Sequence, residues 1–164
     1  MGRNEDRTTM IHGHATPQGL FFPHAGVRIS EDSATLISPE MIDRVLWPYI
    51  ERSVEPFGGG FVHYCGKHDY LFQKLCSSRL VKAIDLGNPE KYDARWVLER
   101  CAESSTVLYS RIPAIDGEGW FEYTERVGFL VKETGARCVL RPTVYPETMK
   151  ECQVILDLWH DITG

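Results

Sequence analysis

From Val27 onward, short β-prone runs alternate with stretches of helical periodicity, and this alternation constrains the fold more than any other feature of the chain. Strands separated by helices pair in parallel, since each helix carries the chain back over the face of the sheet. Five βα units are legible. The first opens with Val27-Arg28-Ile29-Ser30 and continues at Ser38-Pro39-Glu40, where a serine N-cap, a proline at the first helical position and an acid in the first turn start a helix. Its apolar face is Met41, Ile42, Val45, Leu46, Tyr49 and Ile50, and Pro48 inside it predicts a kink or interruption, because proline removes a helical donor. The second unit runs from Gly58-Gly59-Gly60 through the strand Phe61 to Cys65 into a helix bearing Leu71, Phe72, Leu75 and Cys76. Ala83 to Leu86, ended by Gly87-Asn88-Pro89, and a helix bearing Trp96, Val97 and Cys101 make the third. The fourth joins Thr106 to Ser110 with a helix from about Trp120 to Thr134 that Gly135 closes. The fifth pairs Arg137 to Leu140 with a last helix, whose Met149, Cys152, Ile155, Leu156, Trp159 and Ile162 recur at helical spacing and predict a core-facing stripe. Residues 1–26 hold Gly, Pro, His12, His14 and His24 without periodicity and read as an irregular segment.

Composition removes several function classes. A formal charge of -5 and a pI near 5.7, with no Lys/Arg run, leave no basic field for a nucleic-acid backbone. The opening residues are polar and lack an apolar leader core, and no later apolar run approaches membrane-spanning length, so a cytoplasmic protein without a membrane partner is expected. Five cysteines at irregular spacing argue for reduced thiols rather than a disulfide framework. Cys76, Cys101 and Cys152 read as small buried hydrophobes, and Cys138, out of parity with Arg141 and Thr143, reads as packing against a helix.

Four stretches carry a family resemblance. Arg28 to Glu40 is similar to a strand, acidic loop and Ser-Pro-Glu helix start, and Leu46-Trp47-Pro48-Tyr49 to a Leu-x-Pro-Tyr turn. Gly60-Phe61-Val62-His63-Tyr64-Cys65-Gly66 resembles a His-x-Cys-Gly strand, and Ala83-Ile84-Asp85-Leu86 the aspartate-bearing strand that follows it. In this order they resemble the uroporphyrinogen decarboxylase superfamily, which includes cobalamin-independent methionine synthases and corrinoid-dependent methyltransferases. The resemblance implies an α/β fold, a partial (β/α)8 TIM barrel in which residues 27–164 supply the last five units. A closed barrel usually needs about 250 residues, so the first three units are expected to be absent from this chain. Departures are specific: the family's amino-terminal arginine motif has no counterpart, and Arg141-Pro142-Thr143 stands where a histidine or a second cysteine would follow the last strand.

Working residues of parallel barrels lie at the carboxyl ends of strands, which singles out Asp32, His63, Cys65, His68, Asp85, Asn88, Arg111, Arg141 and Thr143. His63 and Cys65 are two positions apart on a strand, so both side chains leave the same face, ~6.6 Å apart along it. Imidazole nitrogen and thiolate sulfur are both good zinc donors, and a catalytic zinc takes three protein ligands plus an exchangeable position. The resemblance assigns this His-x-Cys to zinc and the second cysteine's place to Thr143, leaving Asp85 or His68 as substitutes. Packing without chemistry is the alternative for the pair. Asp32 and Asp85 are candidates to orient a ligand or take a proton, or else to cap a helix or pair with a cation. Asn88, Arg111 and Arg141 are candidates for binding substrate carboxylates, the arginines bidentately, with a structural ion pair the alternative. His68-Asp69 is a weaker base-and-orienter pair, since adjacent residues rarely face one another, and Tyr92, Trp96 and Trp120 read as core.

Three functions compete on these grounds. One is a zinc-assisted methyltransferase acting on a thiol or corrinoid, with a small-molecule substrate and a corrinoid protein as partner. The second is a metal-free decarboxylase-like lyase acting on a carboxylate-rich substrate. The third is a non-catalytic barrel fragment or the subunit of a split enzyme, which needs another chain or a second copy to cover its open sheet edges and is inactive alone.

Overall fold

The computed structural model describes residues 26–164 together with the backbone of Thr9–Ile11 and Phe21–Pro23. His12, His14 and His24 lie outside the described residues. Strands β1 (Thr9–Ile11) and β2 (Phe21–Pro23) pair antiparallel, with Thr9 opposite Pro23, a hairpin that the aperiodic sequence of this segment does not announce. Strands β3 (Val27–Ser30), β4 (Gly60–Tyr64), β5 (Val81–Leu86), β6 (Val107–Ser110) and β7 (Cys138–Leu140) follow in chain order in one five-stranded parallel sheet that alternates with helices. The chain divides into two compact units, Met1–Gly87 and Asn88–Gly164.

In the first unit, α1 (Pro39–Met41) begins on Ser38, whose hydroxyl accepts the Met41 N–H at 3.3 Å. A π-helical segment, Ile42–Leu46, leads into α2 (Trp47–Val54), and the Trp47 N–H reaches back to the Ile42 carbonyl. The widened turn is the interruption expected of Pro48: it stands in the first turn of α2 without a donor, and the ladder preceding it has slipped by one residue. Helix α3 (Asp69–Cys76) follows β4. Ile42, Ile50, Val54, Leu71, Phe72 and Leu75 are buried from the helices, and Val62, Tyr64, Ile84 and Leu86 from the strands. Register places Val62 beside Ile84 and Tyr64 beside Leu86, so these four share one face of the sheet. The opposite face carries Arg28 beside Phe61, Ser30 beside His63, and His63 beside Asp85.

The second unit contains α4 (Ala94–Ser104), capped by Asp93, then α5 (Trp120–Thr134), ended by Gly135 at φ 67°, and α6 (Met149–Thr163), opened by a Thr148–Glu151 capping box. Val97, Leu98, Cys101, Tyr123, Val127 and Val131 are buried. One expectation fails here. Of the six-residue stripe on α6 only Ile162 is buried, whereas Met149 is 83% and Leu156 52% exposed, and Cys152 is half-buried. Helix α6 packs along α5, with Ile162 against Gly128, and β7 ends the strand order, so among the described residues no further βα layer covers the rest of the stripe. Cys76 and Cys101 are buried as expected. No helix is long and apolar enough to cross a membrane.

The burial map separates two truncations of similar chemistry. Ile84→Ala, at a fully buried position, is expected to cost about 2–5 kcal/mol in denaturant unfolding, and Leu156→Ala on the open face of α6 under about 1 kcal/mol. Equal losses would contradict the assignment of the core.

Candidate metal centre

The ends of β3, β4 and β5 are stitched together by main-chain bonds that outlast the strands. Glu31 N donates to His63 O at 2.8 Å and Gly87 N to Tyr64 O at 2.9 Å, so the segments leaving the three strands emerge side by side. Beyond β3, Asp32–Leu36 forms a 3-10 turn, held by Ala34 N donating to Glu31 O at 3.0 Å and by the buried Ala34 side chain. This turn presents the Asp32 carboxylate to the end of β4, where Oδ1 accepts the Cys65 N–H at 2.9 Å. Gly66, at φ 90°, lets the next turn pass Thr35, whose hydroxyl would lie 3.0 Å from any added Cβ. Gly87 has a tighter role: a Cβ there would meet Cys65 Sγ at 2.6 Å and His63 Cε1 at 3.1 Å.

His63 sits at the centre. Its Nε2 is 3.3 Å from Asp32 Oδ1 and 3.4 Å from Cys65 Sγ, and its Nδ1 is 3.0 Å from Asp85 Oδ2. The Nδ1 contact is at hydrogen-bond distance but off the line of a well-directed bond, and this buried nitrogen has no other partner. Below it, Arg28 donates through one guanidinium nitrogen to Asp85 Oδ2 at 3.1 Å and through the other to Ser30 Oγ at 2.7 Å. The Arg28 and Asp85 side chains are only 6% and 4% exposed. Burial acts to raise the Asp85 carboxyl, yet the His63 imidazole and the Arg28 guanidinium together outweigh it and hold the group below the usual carboxylate value. Burial, followed by the charge of Asp32, pushes the neighbouring Glu31 carboxyl up.

A carboxylate against Nδ1 favours the tautomer with its proton on that side, in which the Nε2 lone pair would face Asp32 and Cys65. Among the described residues, Asp32, His63 and Cys65 form a group whose nitrogen, oxygen and sulfur donors all lie within 4.8 Å of one another. Zinc bonds of the usual length in a tetrahedral array place such donors ~3.4–3.6 Å apart, close to the two separations measured from Nε2. Asp32 and Cys65 are exposed, which leaves the outer side of the cluster open to a fourth ligand. In donor chemistry and in the two separations from Nε2, the residues present fit zinc.

The other expected site residues have partners of their own. His68 caps α3, its Nδ1 accepting the Leu71 N–H at 3.2 Å while Nε2 meets the Ile37 carbonyl at 3.0 Å, so both ring nitrogens have structural partners. Asn88, Arg111 and Arg141 belong to the second unit. Asn88 donates to Glu90 at 2.7 Å, Arg111 acts on Glu90 through its charge, and the Arg141 guanidinium lies over the Tyr109 ring at 5.6 Å. Thr143 donates to the Ile112 carbonyl at 3.4 Å. Cys138 lines a cleft with Val131 and Lys132 of α5 and Trp159 and Thr163 of α6, and burial pushes its thiol up to about 11. Tyr92 and Trp96 are half-buried and stack at 6.3 Å.

Arg28 and Gly87 are the site residues that strand-end reasoning passes over. Arg28 is mid-strand, and its signal is parity: a lone cation inside an apolar strand, on the same face as His63 and Asp85. The thiol environments also differ enough to test. Iodoacetamide at neutral pH is expected to alkylate exposed Cys65 ahead of buried Cys76 and Cys101, and ahead of Cys138, whose thiolate becomes abundant only as pH nears about 11. Peptide mass spectrometry with Cys138 reacting first would contradict these placements. Comparison with protein-family models, with curated proteins and with solved structures finds no match to this chain.

Proposed function

We propose that the chain is part of a (β/α)8 barrel of uroporphyrinogen decarboxylase-superfamily type, and that it serves a zinc-assisted transfer of a methyl group to or from a thiol or corrinoid. The observation that supports this reading is the donor set itself: a nitrogen, a sulfur and a carboxylate oxygen at strand ends, with zinc-like separations of 3.3 and 3.4 Å from Nε2. Asp32 takes the part of the distant second cysteine, in whose expected place Thr143 stands. A carboxylate and a thiolate together offset the charge of a divalent cation, as two thiolates would.

Zinc, when bound, supplies a Lewis acid that lowers the pKa of a thiol at the open position and holds it as thiolate. His63 and Cys65 hold that position at the strand ends. Asp85, buried behind His63, acts through the imidazole rather than on substrate. In the transfer a carbon–sulfur bond forms from the thiolate electron pair, the methyl group's bond to its donor breaks with its pair left on the donor, and the thiol proton goes to solvent. Asn88, Arg111 and Arg141 are the proposed binders of substrate carboxylates, and a corrinoid carried by a partner protein is the proposed donor class. A reducing, cytoplasmic setting suits five cysteines at irregular spacing.

Purified chain is expected to hold about one equivalent of zinc, and Cys65→Ser to lose most of it, because the thiolate is the stronger anchor. Metal analysis by plasma mass spectrometry, joined to a methylcobalamin–thiol transfer assay, decides the matter. Wild-type chain that neither retains nor takes up zinc would replace this reading with the metal-free, lyase-like one.

A further inference from the structure

Three residues share one face of the sheet in adjacent strands: Arg28 on β3, His63 on β4 and Asp85 on β5. Their side chains form a chain of contacts leading inward from the donor cluster. His63 Nδ1 is 3.0 Å from Asp85 Oδ2, and the same oxygen accepts from Arg28 at 3.1 Å. The second terminal nitrogen of the guanidinium is anchored on Ser30 Oγ at 2.7 Å, so Arg28 is held at both terminal nitrogens. Nothing in this pairing is solvent-mediated bulk electrostatics, since both charged side chains are more than nine-tenths buried.

We infer that Arg28 is the positioning residue of the metal centre: by pinning the Asp85 carboxylate it fixes the tautomer and the orientation of His63, so that Nε2 presents its lone pair to the metal. The inference rests on the zinc reading above and adds to it a residue outside the ligand set. The physical ground is geometric. A carboxylate can rotate about its Cα–Cβ and Cβ–Cγ bonds, and a ring nitrogen off the line of a good bond gives it little directional restraint. The guanidinium supplies that restraint through a donor fork of fixed shape, and it also balances a carboxylate that would otherwise be buried alone. Without it Asp85 is free to turn from Nδ1, and the imidazole is free to carry its proton on Nε2, a form that cannot bind a metal there. Lysine can keep the charge and one donor, whereas methionine keeps only the bulk.

The experiment is zinc titration against a chromophoric chelator, on the full chain and on the variants Arg28→Met, Arg28→Lys and Asp85→Asn, and on Arg28→Met combined with Asp85→Asn. Imidazole nitrogen NMR on the metal-free proteins accompanies it. Arg28→Met is expected to weaken zinc binding about 10–100-fold and to move His63 toward the Nε2–H tautomer, with Arg28→Lys restoring most of both. In the Asp85→Asn background, Arg28→Met is expected to add nothing, because the carboxylate it acts through is gone. Should Arg28→Met fail to fold, Arg28→Gln keeps a polar amide in the pocket but is too short to reach Asp85 and carries no charge, and is expected to show the same losses. A folded Arg28→Met or Arg28→Gln chain with wild-type zinc affinity and an unchanged His63 tautomer would overturn the inference and leave the zinc reading standing. Wild-type chain that binds no zinc would overturn the zinc reading and with it the metal role of Arg28, an outcome distinct from the first.

Discussion

A carboxylate buried between an arginine and a histidine is the interaction on which the rest of the centre depends. Asp85 is almost wholly removed from water, and a charge so placed is tolerated only where partners replace its hydration. Arg28 and His63 are those partners, and removing either side of such a buried pair typically costs ~3–5 kcal/mol. The contact therefore sets a condition on the sheet. Arg28, His63 and Asp85 must lie on the same face of three adjacent strands, while Val62, Tyr64, Ile84 and Leu86 lie on the other. A one-residue slip of β4 or β5 would drive a charged or polar group among the helices and turn apolar side chains onto the face of the polar cluster, so the polar cluster and the apolar core enforce one register.

From that buried base the centre becomes steadily more open. His63 is partly exposed, and Asp32 and Cys65 lie at the surface. The gradient suits a site that must be held still at its inner end and exchange ligands at its outer end. Main-chain groups do much of the holding there: Asp32 accepts from the Cys65 amide as well as facing His63 Nε2, and the β5 exit is tied to β4 through Gly87. The absence of a side chain at Gly87 is as much a part of the centre as the donors, because a Cβ would occupy the space that Cys65 and His63 use.

Much of this was legible in the sequence, for reasons that differ by element. The five parallel strands and their helices followed from alternation of short β-prone runs with helical periodicity, and Ser38, Gly135 and Pro48 mark boundaries through local chemistry that tertiary structure does not override. The hairpin of Thr9–Ile11 with Phe21–Pro23 was not, because these three-residue strands have no helical stretch beside them to mark them off, as β7 has. The α6 stripe shows the limit of periodicity: spacing tells which side of a helix is apolar, but not whether another layer covers it. At the site, strand ends and parity brought out His63, Cys65, Asp32 and Asp85. Which aspartate faces the donors and which lies behind them depends on the 3-10 turn after β3 and the register of β5, and neither can be read from spacing. His68 is the converse, a histidine beside the motif whose position at the start of α3 makes it a cap.

On the proposed reading, Asp32, His63 and Cys65 act together as one three-donor metal site. X-ray absorption at the zinc edge of the zinc-loaded chain measures that most directly. One sulfur at about 2.3 Å and a shell of nitrogen and oxygen at about 2.0–2.2 Å are expected, with no sulfur around whatever zinc Cys65→Ser still takes up. A wild-type spectrum with no sulfur scatterer, or with more than one, would contradict it.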